Sequence, residues 1–139
     1  MTDATLGAVI DRLAPEVLTE LDLETRLPVV DLARQGDVIV IPDRIRTARW
    51  ANTPVGQEGV PVVRSEFGGH THLLVADGAV FYDPLVATDE APDVGALRVD
   101  DGAVAWLIHP EHGGVGFVPG RYTVRRQREW DGHMRLVVD

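Results

Sequence analysis

Residues 70–82 run His70-Thr71-His72-Leu73-Leu74-Val75-Ala76-Asp77-Gly78-Ala79-Val80-Phe81-Tyr82. Two β-prone runs flank an Asp-Gly pair, the strongest short-range signal for a β-hairpin. The reading is a strand over 70–76, a turn at Asp77-Gly78 and a returning strand over 79–82. The same pattern repeats downstream. Ala96–Val99, Asp101-Gly102 and Ala103–His109 read as a second hairpin. After His109-Pro110-Glu111-His112-Gly113-Gly114, Val115–Val118 reads as a strand. Pro119-Gly120 then leads into a long strand over Tyr122–Trp130, and Asp131-Gly132 turns into Met134–Val138.

Upstream, Val60–Glu66 is another expected strand, and Gly68-Gly69 a turn or bulge. Val38–Ile41, four aliphatic residues between Gly36-Asp37 and Pro42, reads as a strand buried on both faces. Residues 25–35 are expected to be irregular or extended. Residues 43–59 are a long loop with one short strand near 47–50, and residues 83–95 are a further loop. Near the N-terminus, Leu6, Val9, Ile10, Leu13, Val17 and Leu21 recur at helical spacing. They predict helix over 4–22, split or kinked at Pro15. The expectation is a mainly β fold of eight or nine strands, a barrel or two-sheet sandwich, in one domain spanning 1–139. An N-terminal helical segment, 1–24, would pack on an end or face of a β core over 36–138.

Composition removes several chemistries. The 139 residues carry 13 Arg, no Lys and no Cys. Schiff-base and P-loop lysines, thiol nucleophiles, disulfides and thiolate metal sites are therefore excluded. Ser65, the only serine, does not sit in a Gly-x-Ser-x-Gly elbow. The net charge is −9, but residues 121–139 sum to +2 against −11 for residues 1–120. An acidic body repels phosphate backbones, so nucleic acid is a poor partner. No apolar run approaches the roughly 20 residues of a membrane span. The first residues lack a signal-peptide pattern, so the expected location is cytoplasmic.

Four of the five histidines fall in two close pairs, His70/His72 and His109/His112. On a strand, His70 and His72 share a face, with Thr71, Leu73 and Val75 on the other. Imidazoles are the commonest metal ligands, and a carboxylate beside them suits zinc, iron, manganese or nickel. If the pairs meet, His70, His72, His109 and His112, with Glu111 as a further ligand, would hold a divalent metal such as zinc. The bland alternative is hydrogen-bonded histidines under loops.

In Tyr122–Trp130 the side chains of Tyr122, Val124, Arg126, Arg128 and Trp130 share one face. Arg126 and Arg128 could clamp an anion. The competing reading pairs them with Glu111, Glu129 or Asp131.

His70, His72 and Asp77 resemble the first motif of the cupins, His-x-His followed by an acid. That resemblance implies a metal-dependent enzyme acting on a small anionic substrate, with Glu111 as base and Arg126 or Arg128 on the substrate. The glycines abutting His70 and the order of the later Pro-Gly depart from the cupin pattern. The chain as a whole is more similar to an uncharacterised family of small bacterial all-β proteins. The segments that carry this likeness are Gly36–Ile41, Gly69–His72, His109–Gly113 and Pro119–Glu129. It implies a shared fold and no activity.

Three functional readings stay open on this evidence. The first is a noncatalytic metal- or small-ligand-binding β protein using the paired histidines. The second is a cupin-like enzyme. The third is an interaction module in which the Arg-rich C-terminal strand binds another protein or a second copy of the chain.

Overall fold

A computed structural model of the chain describes residues 4–13, 26–43, 51–63, 71–84, 93–126, 128–130 and 134–136. Strand β1 (Ala4–Thr5) runs into helix α1 (Leu6–Leu13), followed by the short strands β2 (Arg26–Leu27), β3 (Val29–Val30) and β4 (Ala33–Gln35). Then come β5 (Val38–Pro42), β6 (Val60–Val63), β7 (His72–Asp77), β8 (Val80–Pro84), β9 (Asp93–Val99) and β10 (Val104–His109). The chain goes on through β11 (Gly113–Phe117), β12 (Gly120–Arg126), β13 (Arg128–Trp130) and β14 (Met134–Leu136).

Two five-stranded sheets carry the fold. The first has the order β3-β11-β10-β7-β6 and the second β4-β5-β12-β9-β8. All pairings within them are antiparallel except β11 with β3. Among the described residues neither sheet closes on itself, so the architecture is the sandwich and not the barrel. Among the described residues no helix is long and apolar enough to cross a membrane.

Period-two alternation explains the layering. Strand β10 is buried at all six positions because it lies mid-sheet with a covered face on each side. Ala105 and Leu107 point into the core between the sheets. There they meet Leu74, Val115 and Phe117 of the first sheet and Val38, Val40, Tyr82, Leu97, Tyr122 and Val124 of the second. Val104, Trp106 and Ile108 point the other way, onto Leu6, Val9 and Ile10 of α1 and onto Leu27. The helix is thus a third layer on the outer face of the first sheet. Thr5 caps it, its Oγ1 accepting from the Ala8 N–H at 3.2 Å.

Several local expectations need correction. The helix spans Leu6–Leu13; the predicted continuation across Pro15 lies outside the described residues, as do the short strand near 47–50, the Gly68-Gly69 turn and the end of 60–66. Residues 26–35 are extended, one of the two forms expected for them, and form three short strands. Strand β9 begins at Asp93, inside the expected 83–95 loop. Val38–Ile41 is buried on one face only: Val38 and Val40 fill the core, while Ile39 and Ile41 are half-buried on the outer face of the second sheet.

The two Asp-Gly hairpins are the largest correction. Asp77-Gly78 joins β7 of the first sheet to β8 of the second, and Asp101-Gly102 joins β9 of the second to β10 of the first. Both are crossings between sheets. β7 pairs with β10, and β8 with β9, so the two crossings lie side by side. They are tied by the Asp100 N–H to the Ala79 carbonyl at 3.0 Å. The glycines supply the positive φ, 101° at Gly78 and 81° at Gly102, that a sharp bend requires whether or not the strands then pair. True hairpins occur elsewhere. Gln35 and Val38 pair across Gly36-Asp37, and His109 and Gly113 pair across Pro110-Glu111-His112. Trp130 and Met134 pair around residues 131–133, which lie outside the described part.

Candidate functional site

The two hairpins at 36–37 and 110–112 stand at the same end of the sandwich. Gly36, at φ 58°, lets β4 reverse tightly into β5. The result buries Gln35 and Asp37, 5% and 3% exposed, at the rim of the intersheet core. Alternation on β7 turns His72 inward with Leu74 and sends Leu73 and Val75 to the helix side, as the strand reading predicts. On β12 the same rule sends Arg126 inward with Tyr122 and Val124. Its Nε donates to Asp37 Oδ2 at 3.0 Å.

Hydrogen-bond polarity fixes much of this network. Gln35 Nε2 donates to the carbonyls of Leu107 and Gly113, at 3.0 and 3.1 Å. Its Oε1 is therefore the atom 2.9 Å from His72 Nδ1, and Nδ1 must donate. His72 Nε2 faces Asp37 Oδ1 at the ion-pair distance of 3.3 Å. A carboxylate only accepts, so Asp37 Oδ1 can take a hydrogen bond from Nε2 only when that nitrogen carries a proton. Burial by itself would raise the Asp37 carboxyl. The hydrogen bonds from His72 and Arg126 outweigh that and hold it below the usual carboxylate range.

His109, at the end of β10, is 2% exposed and does a different job. Its Nδ1 accepts the backbone N–H groups of Glu111 and His112, at 3.1 and 3.3 Å, and so caps the hairpin loop. An accepting nitrogen carries its lone pair there, which puts the ring proton on Nε2. The three imidazoles form a series. His72 and His109 have centroids 4.4 Å apart, His109 and His112 also 4.4 Å, and His72 and His112 lie nearly parallel at 6.2 Å. The series runs from buried His72 to exposed His112, with Glu111 exposed beside it.

The two predicted histidine pairs therefore meet, through His72, His109 and His112. His70 lies outside the described residues, and so does the side chain of Arg128 on β13. Arg126 pairs with Asp37, a partner the sequence reading did not name; the side chain of Glu129 and all of Asp131 lie outside the described residues. Among the described residues no group of three or more His, Asp or Glu side chains has metal-holding geometry. The donor set explains why. For His109 to ligate through Nε2, its proton would have to move to Nδ1, where two N–H donors already point. Both nitrogens of His72 already face Gln35 and Asp37.

Gln35 and Asp37 were missed by the sequence reading, which used Gly36-Asp37 only as a turn. The available signal was an amide and a carboxylate flanking a tight turn at the mouth of an aliphatic strand. At the opposite end of the sandwich, an open cleft of about 700 Å³ is lined by Arg98, Asp100, Asp101, Gly120 and Arg121. Arg98 there is held by Asp100 at 3.1 Å and lies over the Phe81 ring at 4.0 Å.

Searches of curated proteins and of solved structures found no match. One family model does match, a domain of unknown function, DUF8820, over residues 34–127. That span opens one residue before Gln35 and closes one residue after Arg126, so it encloses the whole network and leaves α1 outside. With most of its length covered by that match, the chain belongs to the DUF8820 family.

Proposed function

We propose that this chain is a noncatalytic binding protein that takes a small anionic ligand at the histidine end of the sandwich. The observation behind the reading is the imidazole series, which links an exposed ring, His112, to a buried network in which the Asp37 carboxylate pairs with Arg126 and faces His72. Such a network is an expensive way to fill the rim of an apolar core, since well-packed apolar residues would serve stability as well or better. A binding role accounts for it. The reading leaves out catalysis because the nitrogens a general base would use, both of His72 and Nδ1 of His109, are engaged within the fold. It leaves out a metal because His109 is held in the wrong tautomer.

Inorganic phosphate is the probe. NMR titration of the full chain should move the His112 ring resonances saturably, with a millimolar or tighter dissociation constant. His112→Gln should abolish the response while the amide spectrum stays native. Shifts that never saturate, or that persist in His112→Gln, count against the site. Melting with Zn²⁺ and with EDTA is the metal control. A higher melting temperature with Zn²⁺, lost in His72→Ala, would restore the metal reading.

A second reading has its own observation. Arg34, Arg98, Arg121 and Arg125 all lie on the outer face of the second sheet, in register with Ile39 and Phe81. A basic face on a chain of net charge −9 suits an acidic protein surface, including that of a second copy. Sedimentation at low and high salt tests it. A monomer at both argues against electrostatic self-association.

A further inference from the structure

We infer that the cleft at the end of the sandwich away from the histidines binds a small zwitterion of the amino-acid or short-peptide class, its carboxylate on Arg98 and its ammonium on Asp101. The inference goes beyond the histidine-end reading and rests on no part of it.

The cleft, about 700 Å³, has the size of a small-molecule site, roughly 300–1,000 Å³. It lies where β9 ends at Val99 and β12 begins at Gly120, two residues paired in register. Arg98 is held there in two ways. In the plane of its guanidinium, Nε donates to Asp100 Oδ1 at 3.1 Å. On its face, the Phe81 ring of the neighbouring strand β8 lies 4.0 Å away. Both restraints leave the terminal edge of the group alone. Among the described residues nothing accepts a hydrogen bond from Nη1 or Nη2. Two N–H donors side by side in a plane match the two oxygens of a carboxylate. Because the group is already fixed, little conformational freedom is lost when a ligand binds.

The facing strand adds a second cation. Arg121 on β12 stands directly across from Arg98. Like charges at facing positions of an antiparallel pair repel, and a ligand carboxylate at the Arg98 edge lowers that repulsion. The acids then set the class of ligand. Asp100 and Asp101 line the same cleft, so its two arginines and two aspartates sum to zero. A phosphate carrying up to two negative charges would meet two carboxylates. A zwitterion adds no net charge, and its ammonium finds a counter-charge in Asp101. That side chain is exposed and makes no hydrogen bond or ion pair among the described residues.

The test is an NMR titration of the labelled full chain at about pH 7, where an amino acid or peptide is a zwitterion. The probes are L-alanyl-L-alanine, its N-acetyl form, its C-terminal amide, L-alanine and inorganic phosphate. The dipeptide should shift the amide resonances of Val99, Asp101 and Gly120 saturably, with a millimolar or tighter dissociation constant. Capping either end should weaken binding by about tenfold, the difference one hydrogen bond to a charged group makes. L-Alanine beside the dipeptide tells a free amino acid from a peptide as the better occupant. Phosphate should leave the cleft resonances in place; a response at His112 belongs to the other site, so either site can fail alone. Arg98→Gln should abolish the dipeptide shifts while amides elsewhere keep their positions. Asp101→Asn should bind the free and N-acetylated dipeptides alike. No saturable shift with dipeptide or alanine, equal binding of free and capped dipeptides by the wild type, tighter binding of phosphate at the cleft, or shifts unchanged in Arg98→Gln would each overturn the site. Should Arg98→Gln not fold, the probe series on the wild type and on Asp101→Asn still decides, since Asp101 is exposed at a turn and Asn keeps its shape.

Discussion

Asp37 carries the charge balance of the histidine end. Its carboxylate receives Arg126 at 3.0 Å on one oxygen and faces His72 at 3.3 Å on the other, with its side chain 1% exposed. Asp37→Asn keeps the shape but leaves the Arg126 guanidinium, its side chain 12% exposed, without its counter-charge. The expected cost is about 3–5 kcal/mol, the range for removing one partner of a buried pair, read from urea unfolding. The pH dependence follows from the same contacts. The folded carboxyl is held below its usual value, so its contribution is present above about pH 4 and is lost as the pH falls through the folded value. Asp37→Asn should show a shallower loss of stability below about pH 4 than wild type. Equal slopes would mean that Asp37 is not the titrating group. Sequence reasoning placed His72 on the correct face and brought the histidine pairs into one hypothesis, because strand alternation is local. It could not find Asp37 or Gln35. They stand 35 and 37 positions before His72 in the chain, and nothing in a Gly-Asp turn announces that its acid faces inward.

At the scale of elements, the Asp-Gly crossings show where local chemistry stops being informative. Asp77-Gly78 and Asp101-Gly102 bend the chain as their composition demands, with positive φ at both glycines. Which strands then pair is decided by burial elsewhere. Crossing to the second sheet lets Leu74 before the bend and Val80 and Tyr82 after it fill one core. The strand positions were thus largely legible, and the partnerships were not. The two glycines also separate two costs. An alanine Cβ at Gly102 meets nothing within 4 Å, so Gly102→Ala should cost only the backbone term, about 1–2 kcal/mol. At Gly78 the same Cβ would lie 2.8 Å from the Cβ of Ala103, in the neighbouring crossing. Gly78→Ala should therefore be the more destabilising of the two, by a further 1 kcal/mol or about that much from overpacking. Equal losses in thermal unfolding would show that the crossings are not pressed together.

Across the whole molecule, three layers share one sheet, and β11 is where their demands meet. The helical periodicity of Leu6, Val9 and Ile10 announced an amphipathic helix, but not that its apolar face would cover Trp106 and Ile108 on the outside of the first sheet. β11 is thin at that place. Gly114 approaches Leu27 and Leu6 closely enough that an added Cβ would sit 3.0 and 3.5 Å from their methyl carbons. One residue earlier, the Gly113 carbonyl accepts from Gln35 in the polar network. The helix layer and the histidine end thus press on adjacent residues of one strand from opposite sides. Leu6→Ala alone should cost about 2–5 kcal/mol by opening a cavity beside Trp106. Gln35→Leu alone should cost about 1–3 kcal/mol by leaving the Leu107 and Gly113 carbonyls without their donor. Because β11 can shift toward whichever side has been emptied, the double variant should depart from additivity by at least about 0.5 kcal/mol, measured as a double-mutant cycle in urea. A sum within about 0.3 kcal/mol of the two single losses would mean that the sheet insulates its faces from one another. The helix, outside the span matched by the family, would then have no influence on the network inside it.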